Sequence, residues 1–337
     1  MRPMSGCLGR IDWILSVFCS NRLTLGEVDP VIFRIGPDPA TAWARRGPAP
    51  ARQNPRPGRA LVGTARRSAL RARRHCAPGG GRGGSMPQQW PARIWILRHG
   101  ESAGNVARAA AHREGSTHIA IEGRDVDVPL SPDGERQAEA VGRWFAAMPR
   151  AERPNVVLTS PYRRAVETAE RVRAAGGLAE DDLALVLDER LREKEFGLLD
   201  RLTPHGIRQL HPEQAEYRRL LGKFYHRPPS GESWCDVILR LRSALHTVSL
   251  YYAGDRVLLV GHQVMVLCIR YLLENLTEAE ILEIDGQGSV ANCAITEYAV
   301  APGAGGRPAL QRYNFVAPVA RAGAPVTDAP DATGAVR

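Results

Sequence analysis

From Arg93 onward the chain alternates short apolar runs with amphipathic stretches of helical period, which restricts it to an α/β domain on a largely parallel sheet. Ile94-Trp95-Ile96-Leu97 predicts a buried first strand. Ser131-Pro132, followed by Ala138, Val141, Phe145 and Met148 at helical spacing, predicts the first long helix, with Ser131 as N-cap and Pro132 at its first position. Residues 156–158 read as the next strand, 163–175 as a helix, 183–187 as a short β-rich run, and the stretch to about residue 221 as helical. A further helix opens at Ser230-Gly231-Glu232-Ser233 and runs through Tyr251. The strongly apolar strand 256–260, a helix over 264–273 and a closing strand over 290–298 complete the pattern. The expected architecture is a three-layer αβα sandwich, and no internal repeat interrupts it.

Composition divides the chain. Residues 1–85 hold 15 Arg, no Lys and four acids (Asp12, Glu27, Asp29, Asp38), a charge of +11, so the net +9 of the 337 residues leaves −2 for the remainder. The basicity belongs to the N-terminal stretch, and nucleic acid is not expected as a partner of the folded part. No apolar run approaches the ~18 to 20 residues of a membrane span. The apolar segment 11–19 behind Arg2 and Arg10 is broken by Asp12 and lacks a small-x-small site after it, so it does not read as a secretory signal. None of Cys7, Cys19, Cys76, Cys235, Cys268 and Cys293 shares a C-x-x-C spacing, and Cys268 and Cys293 lie in apolar surroundings. Reduced thiols and a cytoplasmic location are expected.

The Arg, Pro, Ala and Gly of residues 36–84 offer too little apolar surface to offset the entropy of ordering, so residues 1–85 read as a disordered basic extension. A second reading is that the Gly-rich run 79–84 is a ribosome-binding site read as protein, with Met86 as the true start. The folded domain is expected over 86–316, and 317–337 as a frayed tail.

Chemistry concentrates at strand ends, where open α/β sheets bind ligands. Leu97-Arg98-His99-Gly100-Glu101-Ser102-Ala103-Gly104-Asn105 follows the first strand directly. Gly261-His262 follows the other strongly apolar strand, and Thr159-Ser160-Pro161-Tyr162-Arg163-Arg164-Ala165 brings arginines to a helix start whose N–H groups already favour an anion. Two histidines and several guanidinium groups are thereby aimed at one pocket.

These segments resemble the histidine phosphatase superfamily, which includes the cofactor-dependent phosphoglycerate mutases, over roughly residues 93–298. The resemblance implies that His99 is the nucleophile, that Arg98 and Asn105 contact phosphate, that Arg164 rather than Arg163 is the second arginine, and that His262 is the second histidine. Glu193, four residues before Gly197, takes the acid/base position, with Glu195 as the alternative. A neutral imidazole can hold a phosphoryl group covalently, and guanidinium forks match the three oxygens on which its charge spreads. Such a clamp supplies the charge neutralisation that Mg²⁺ supplies elsewhere, so neither metal nor cofactor is expected.

Mutases of this family place a Trp before the Asn of the first motif, where this chain has Gly104, and Arg218-Arg219 stands eight residues from Pro228-Pro229 rather than close by. These departures favour a phosphatase acting on a small phosphorylated metabolite; mutase chemistry and a phospho-ligand-binding module are the alternatives. Lys223, Tyr225, His226 and Arg227 are candidates for selecting an anionic substrate, the other reading being an exposed basic loop. A homo-oligomer stays open, as does a role of the Arg-rich extension as a nucleic-acid tether.

Overall fold

The computed structural model describes residues 90–178, 185–300 and 306–329. Strand β1 (Arg93–Arg98) lies inside the sheet because its apolar residues serve both faces: Ile94 and Ile96 enter one core, Trp95 and Leu97 the other, all fully buried. Burying each such side chain contributes about 1.5–3 kcal/mol. β1 pairs in parallel with β4 (Arg256–Gly261), β4 with β2 (Val156–Thr159), and β2 with β3 (Leu185–Leu187). On the other side β5 (Ile295–Ala299) runs antiparallel to β1, and β6 (Ala309–Phe315) antiparallel to β5. The order is β3-β2-β4-β1-β5-β6.

Helices cover both faces. α2 (Pro132–Ala146) and α3 (Arg163–Ala175) pack Ala138, Val141, Phe145, Ala165 and Val172 against Trp95, Leu97 and Val260. The opposite core joins α6 (Trp234–Tyr251) and α7 (Gln263–Glu274) to Ile94, Ile96 and Leu259. The Ser131 hydroxyl caps α2 by accepting from Gly134 N–H at 3.1 Å, a contribution of about 1 kcal/mol. α1 (Ala103–Glu114) leaves the end of β1, α4 (Pro204–Leu210) and α5 (Pro212–Tyr225) form the excursion after β3, and α8 (Glu278–Gln287) follows α7. Among the described residues no helix is long and apolar enough to cross a membrane.

Three expectations change. The closing strand begins at Ile295, because residues 291–294 form a turn with Ala294 N–H on Ala291 O and Cys293 at φ 53°. β6 escaped notice because its residues are exposed to half-buried along one edge and carry no apolar alternation. The frayed tail does not start at 317: a short helix α9 (Ala317–Arg321) buries Pro318 and Val319, and hydrogen bonds continue through Ala329. The basic extension 1–85, the Met86 start and residues 330–337 lie outside the described residues.

Candidate active site

The parallel register of β1 and β4 sets the site. His99 N–H continues the ladder by donating to Gly261 O at 2.8 Å, so His99 and His262 leave adjacent strands side by side. Their ring centroids are 5.2 Å apart and both residues are fully buried. β2 ends one strand further: Ser160 N–H donates to Val260 O, and the Ser160 hydroxyl meets His262 Nε2 at 2.8 Å.

His99 is held on several sides. Its Nδ1 lies 2.6 Å from Gly100 O, and since a carbonyl oxygen only accepts, Nδ1 is the donor; in the neutral imidazole Nε2 then carries the lone pair. Gly100 N–H donates to Thr168 Oγ1 at 3.0 Å. A Cβ at Gly100 would run into the Gly134 carbonyl, so glycine is required where this loop crosses the start of α2. Behind the ring, Asn292 Nδ2 donates to His99 O at 3.2 Å, and Cys293 N–H is shared between Arg98 O and His99 O.

The candidate phosphate-contacting residues Arg98, Asn105 and Arg164 come from three elements, β1, α1 and α3. Arg98, fully buried, donates through Nη1 to Val290 O at 2.5 Å. Asn105 sits in the first turn of α1, where its Oδ1 accepts from Ser102 N–H and hydroxyl, both at 2.9 Å, turning Nδ2 the other way. Arg164, in the first turn of α3, grips Asp125 through Nη1–Oδ1 at 3.2 Å and Nη2–Oδ2 at 3.0 Å and stacks 4.9 Å over the Tyr162 ring. Arg163 is exposed and pairs with Glu167 on its own helix. Arg108, one turn beyond Asn105 on the buried face of α1, lines the same pocket as Asn105, Arg164, Glu193 and Phe196.

Glu193 is 3% exposed and faces the pocket, its Oε1 accepting from Lys194 N–H at 2.7 Å. Glu195 turns away, half exposed, and accepts from Tyr162 Oη at 2.8 Å; burial and this carboxylate push the Tyr162 hydroxyl pKa up. Arg240 fixes the intervening loop by donating to Arg190 O, Arg192 O and Glu193 O at 2.7, 2.8 and 3.1 Å, while its Nε meets Glu232. Glu232 therefore belongs to this network, pairing with both Arg240 and Arg192. Burial raises its pKa, but the Arg240 bonds outweigh that and hold it below the ordinary range. Glu101 accepts from the Ser131 hydroxyl.

The candidate selecting residues divide. Arg227 turns to Asp236 at the start of α6, with Nε–Oδ2 at 2.8 Å, and Tyr225 is exposed. His226 and Lys223 line a cavity of about 600 Å³ together with Lys194, Arg218 and Phe196, and Lys223 is ion-paired with Asp285. Phe196 is a wall of both this cavity and the pocket lined by Asn105, Arg164 and Glu193. Burial and the Arg218 charge push Lys194 down to about 8; burial, Arg218 and Lys194 push His226 down to about 4. Sequence reasoning missed Arg108, Asp125, Arg240 and Asn292. Of these only Arg108 carried a signal, its spacing of three from Asn105 on one helix face.

The folded part of the chain is similar to known proteins. The probable phosphoglycerate mutase GpmB of Yersinia enterocolitica is 32% identical over 178 residues, which is 52% of this chain and 72% of that protein. Among solved structures, Bacillus stearothermophilus YhfR matches with a TM-score of 0.54 at 25% identity, covering 67% of this chain and 98% of that one. A mycobacterial glucosyl-3-phosphoglycerate phosphatase in complex with VO3 matches with a TM-score of 0.50 at 26% identity, covering 67% and 100%. With residues 94–315 also matching the family model of the histidine phosphatase superfamily (branch 1), and two histidines side by side at adjacent strand ends, the chain belongs to that superfamily.

Proposed function

We propose that this protein is a cytoplasmic phosphate monoester hydrolase that works through a phosphohistidine at His99 and takes a small phosphorylated metabolite as substrate, with no metal or cofactor. The observation that carries this reading is the His99–His262 pair at the ends of adjacent strands: His99 Nδ1 is committed to Gly100 O, so the neutral ring offers Nε2 as the nucleophile beside His262. In the first step Nε2 attacks phosphorus, the P–O ester bond breaks, and the leaving oxygen takes the proton of the Glu193 carboxyl group. In the second, the Glu193 carboxylate removes a proton from water, the water oxygen attacks phosphorus, and the P–N bond breaks to give phosphate and neutral His99. Arg98, Arg164, Asn105 and His262 stabilise the charge on the migrating group throughout.

Gly104 supports hydrolysis over mutase transfer. Gly104 stands where the mutases carry a Trp, so the indole expected of mutases is missing beside Val128 and Ile121. The second reading, a substrate carrying a further anionic group as phosphoglycerates do, is favoured by the buried Lys194 and the half-buried Arg218, which line the neighbouring cavity with Phe196. The test is phosphate release from p-nitrophenyl phosphate with and without EDTA. Equal turnover in both is expected. Activity lost in EDTA and restored by a divalent ion contradicts the metal-free reading, and absent hydrolysis with phosphoryl exchange between phosphoglycerates moves the assignment to a mutase.

A further inference from the structure

The residues that follow α9 reach the phosphate clamp. From Ala324 to Ala329 the chain forms no regular element, yet it is tied down at every second residue. Gln137 Nε2 donates to Pro325 O at 2.8 Å and to Thr327 Oγ1 at 3.0 Å. Asn292 N–H donates to Thr327 O at 2.8 Å, and Thr327 Oγ1 donates to Asn292 Oδ1 at 3.1 Å. Ala329 O then accepts from Asn105 Nδ2 at 3.1 Å and from Arg98 Nη2 at 2.5 Å. In an extended segment the carbonyls of residues i, i+2 and i+4 share a side, so 325, 327 and 329 turn toward the site while Val326 and Asp328 face solvent.

The Ala329 carbonyl uses both its lone pairs on the two side chains assigned above to the phosphoryl oxygens. Phosphate and this carbonyl cannot hold Arg98 Nη2 and Asn105 Nδ2 at once. We propose that residues 324–329 are an autoinhibitory strap that fills the phosphate site in the resting enzyme and withdraws when substrate binds. The inference rests on the functional reading of Arg98 and Asn105. A phosphate dianion makes charge-assisted bonds to the guanidinium and displaces a neutral carbonyl, whereas weakly anionic or neutral ligands do not. The strap therefore acts as a selectivity filter, and it lowers apparent affinity by the fraction of molecules in which it is closed. The anchoring side chain Gln137 is not a member of the clamp, whereas Asn292 also donates to His99 O and to Asn105 Oδ1, so Asn292 links the strap to the clamp.

Two variants and one measurement on the full chain test this. Deletion of residues 324–337 is expected to lower KM for p-nitrophenyl phosphate and the inhibition constant for inorganic phosphate together, each by about 5- to 50-fold, with kcat changed by less than about 3-fold. Thr327→Ala, which keeps the chain length and removes two anchoring bonds, is expected to move both constants the same way by a smaller factor. In the full chain, saturating inorganic phosphate is expected to speed hydrogen exchange at the Asn292 amide, since Thr327 O leaves it; a ligand that only tightened the site would slow it. Phosphate binding with equal affinity to both chains, a KM that rises on deletion, or slowed exchange at Asn292 overturns the strap alone. If neither chain binds phosphate, the assignment of Arg98 and Asn105 fails, and the strap with it.

Discussion

His99→Ala is expected to reduce phosphate release from p-nitrophenyl phosphate by on the order of 10⁴- to 10⁶-fold, to what the clamp alone provides. The size follows from the division of labour. Arg98, Asn105, Arg164 and His262 stabilise charge, and removing one such donor typically costs ~10²- to 10³-fold, but without Nε2 there is no covalent step for them to assist. The measurement is steady-state phosphate release, with circular dichroism confirming that the variant keeps its fold. His99 anchors its loop through its own N–H to Gly261 O and its carbonyl to Asn292 and Cys293, all backbone bonds that alanine retains. A variant that folds and retains more than about a hundredth of wild-type turnover contradicts the role of His99.

Glu193→Gln is expected to separate the two steps. With an alkyl phosphate, whose leaving oxygen needs a proton, kcat falls by ~10²- to 10⁴-fold. With p-nitrophenyl phosphate the departing phenolate needs little help, so phosphorylation continues while water attack, which still needs the base, becomes limiting. A pre-steady-state burst of nitrophenolate is therefore expected in the variant. Equal losses with both leaving groups and no burst would remove Glu193 from proton transfer. Glu195→Gln serves as the comparison: that carboxylate lies against Tyr162 and half in solvent, and less than about a 5-fold effect is expected.

How much was readable from the sequence depended on how far each contact reaches along the chain. Arg98, His99 and His262 were legible because an apolar run announces a buried strand and the residues after it emerge at the carboxyl end of the sheet. Arg164 was legible because it stands at a helix start beside a third strand end. The choice between Glu193 and Glu195 was not, since both lie in an irregular segment where no period assigns a face. The structure separates them through Arg240, 47 residues away, which holds the Glu193 carbonyl. Asn292 touches the His99 carbonyl across 193 residues, and Asp125 meets Arg164 from a short 3₁₀ turn. Nothing local marks either. The strap was invisible for another reason: Pro325, Thr327 and Ala329 act there through backbone carbonyls, which every residue carries, and the Ala, Gly and Pro around them look like a frayed end. β6 was hidden in the same way, as an edge strand without an apolar stripe.

The most direct test of the account is a rapid-quench experiment on the wild-type chain with p-nitrophenyl phosphate, followed by peptide mass spectrometry under alkaline conditions that preserve phosphoramidates. One phosphoryl group on His99, formed within a turnover and absent from His99→Ala, is the predicted result. Turnover without a phosphoenzyme, or a phosphoryl group on His262 or Ser160 instead, would contradict it.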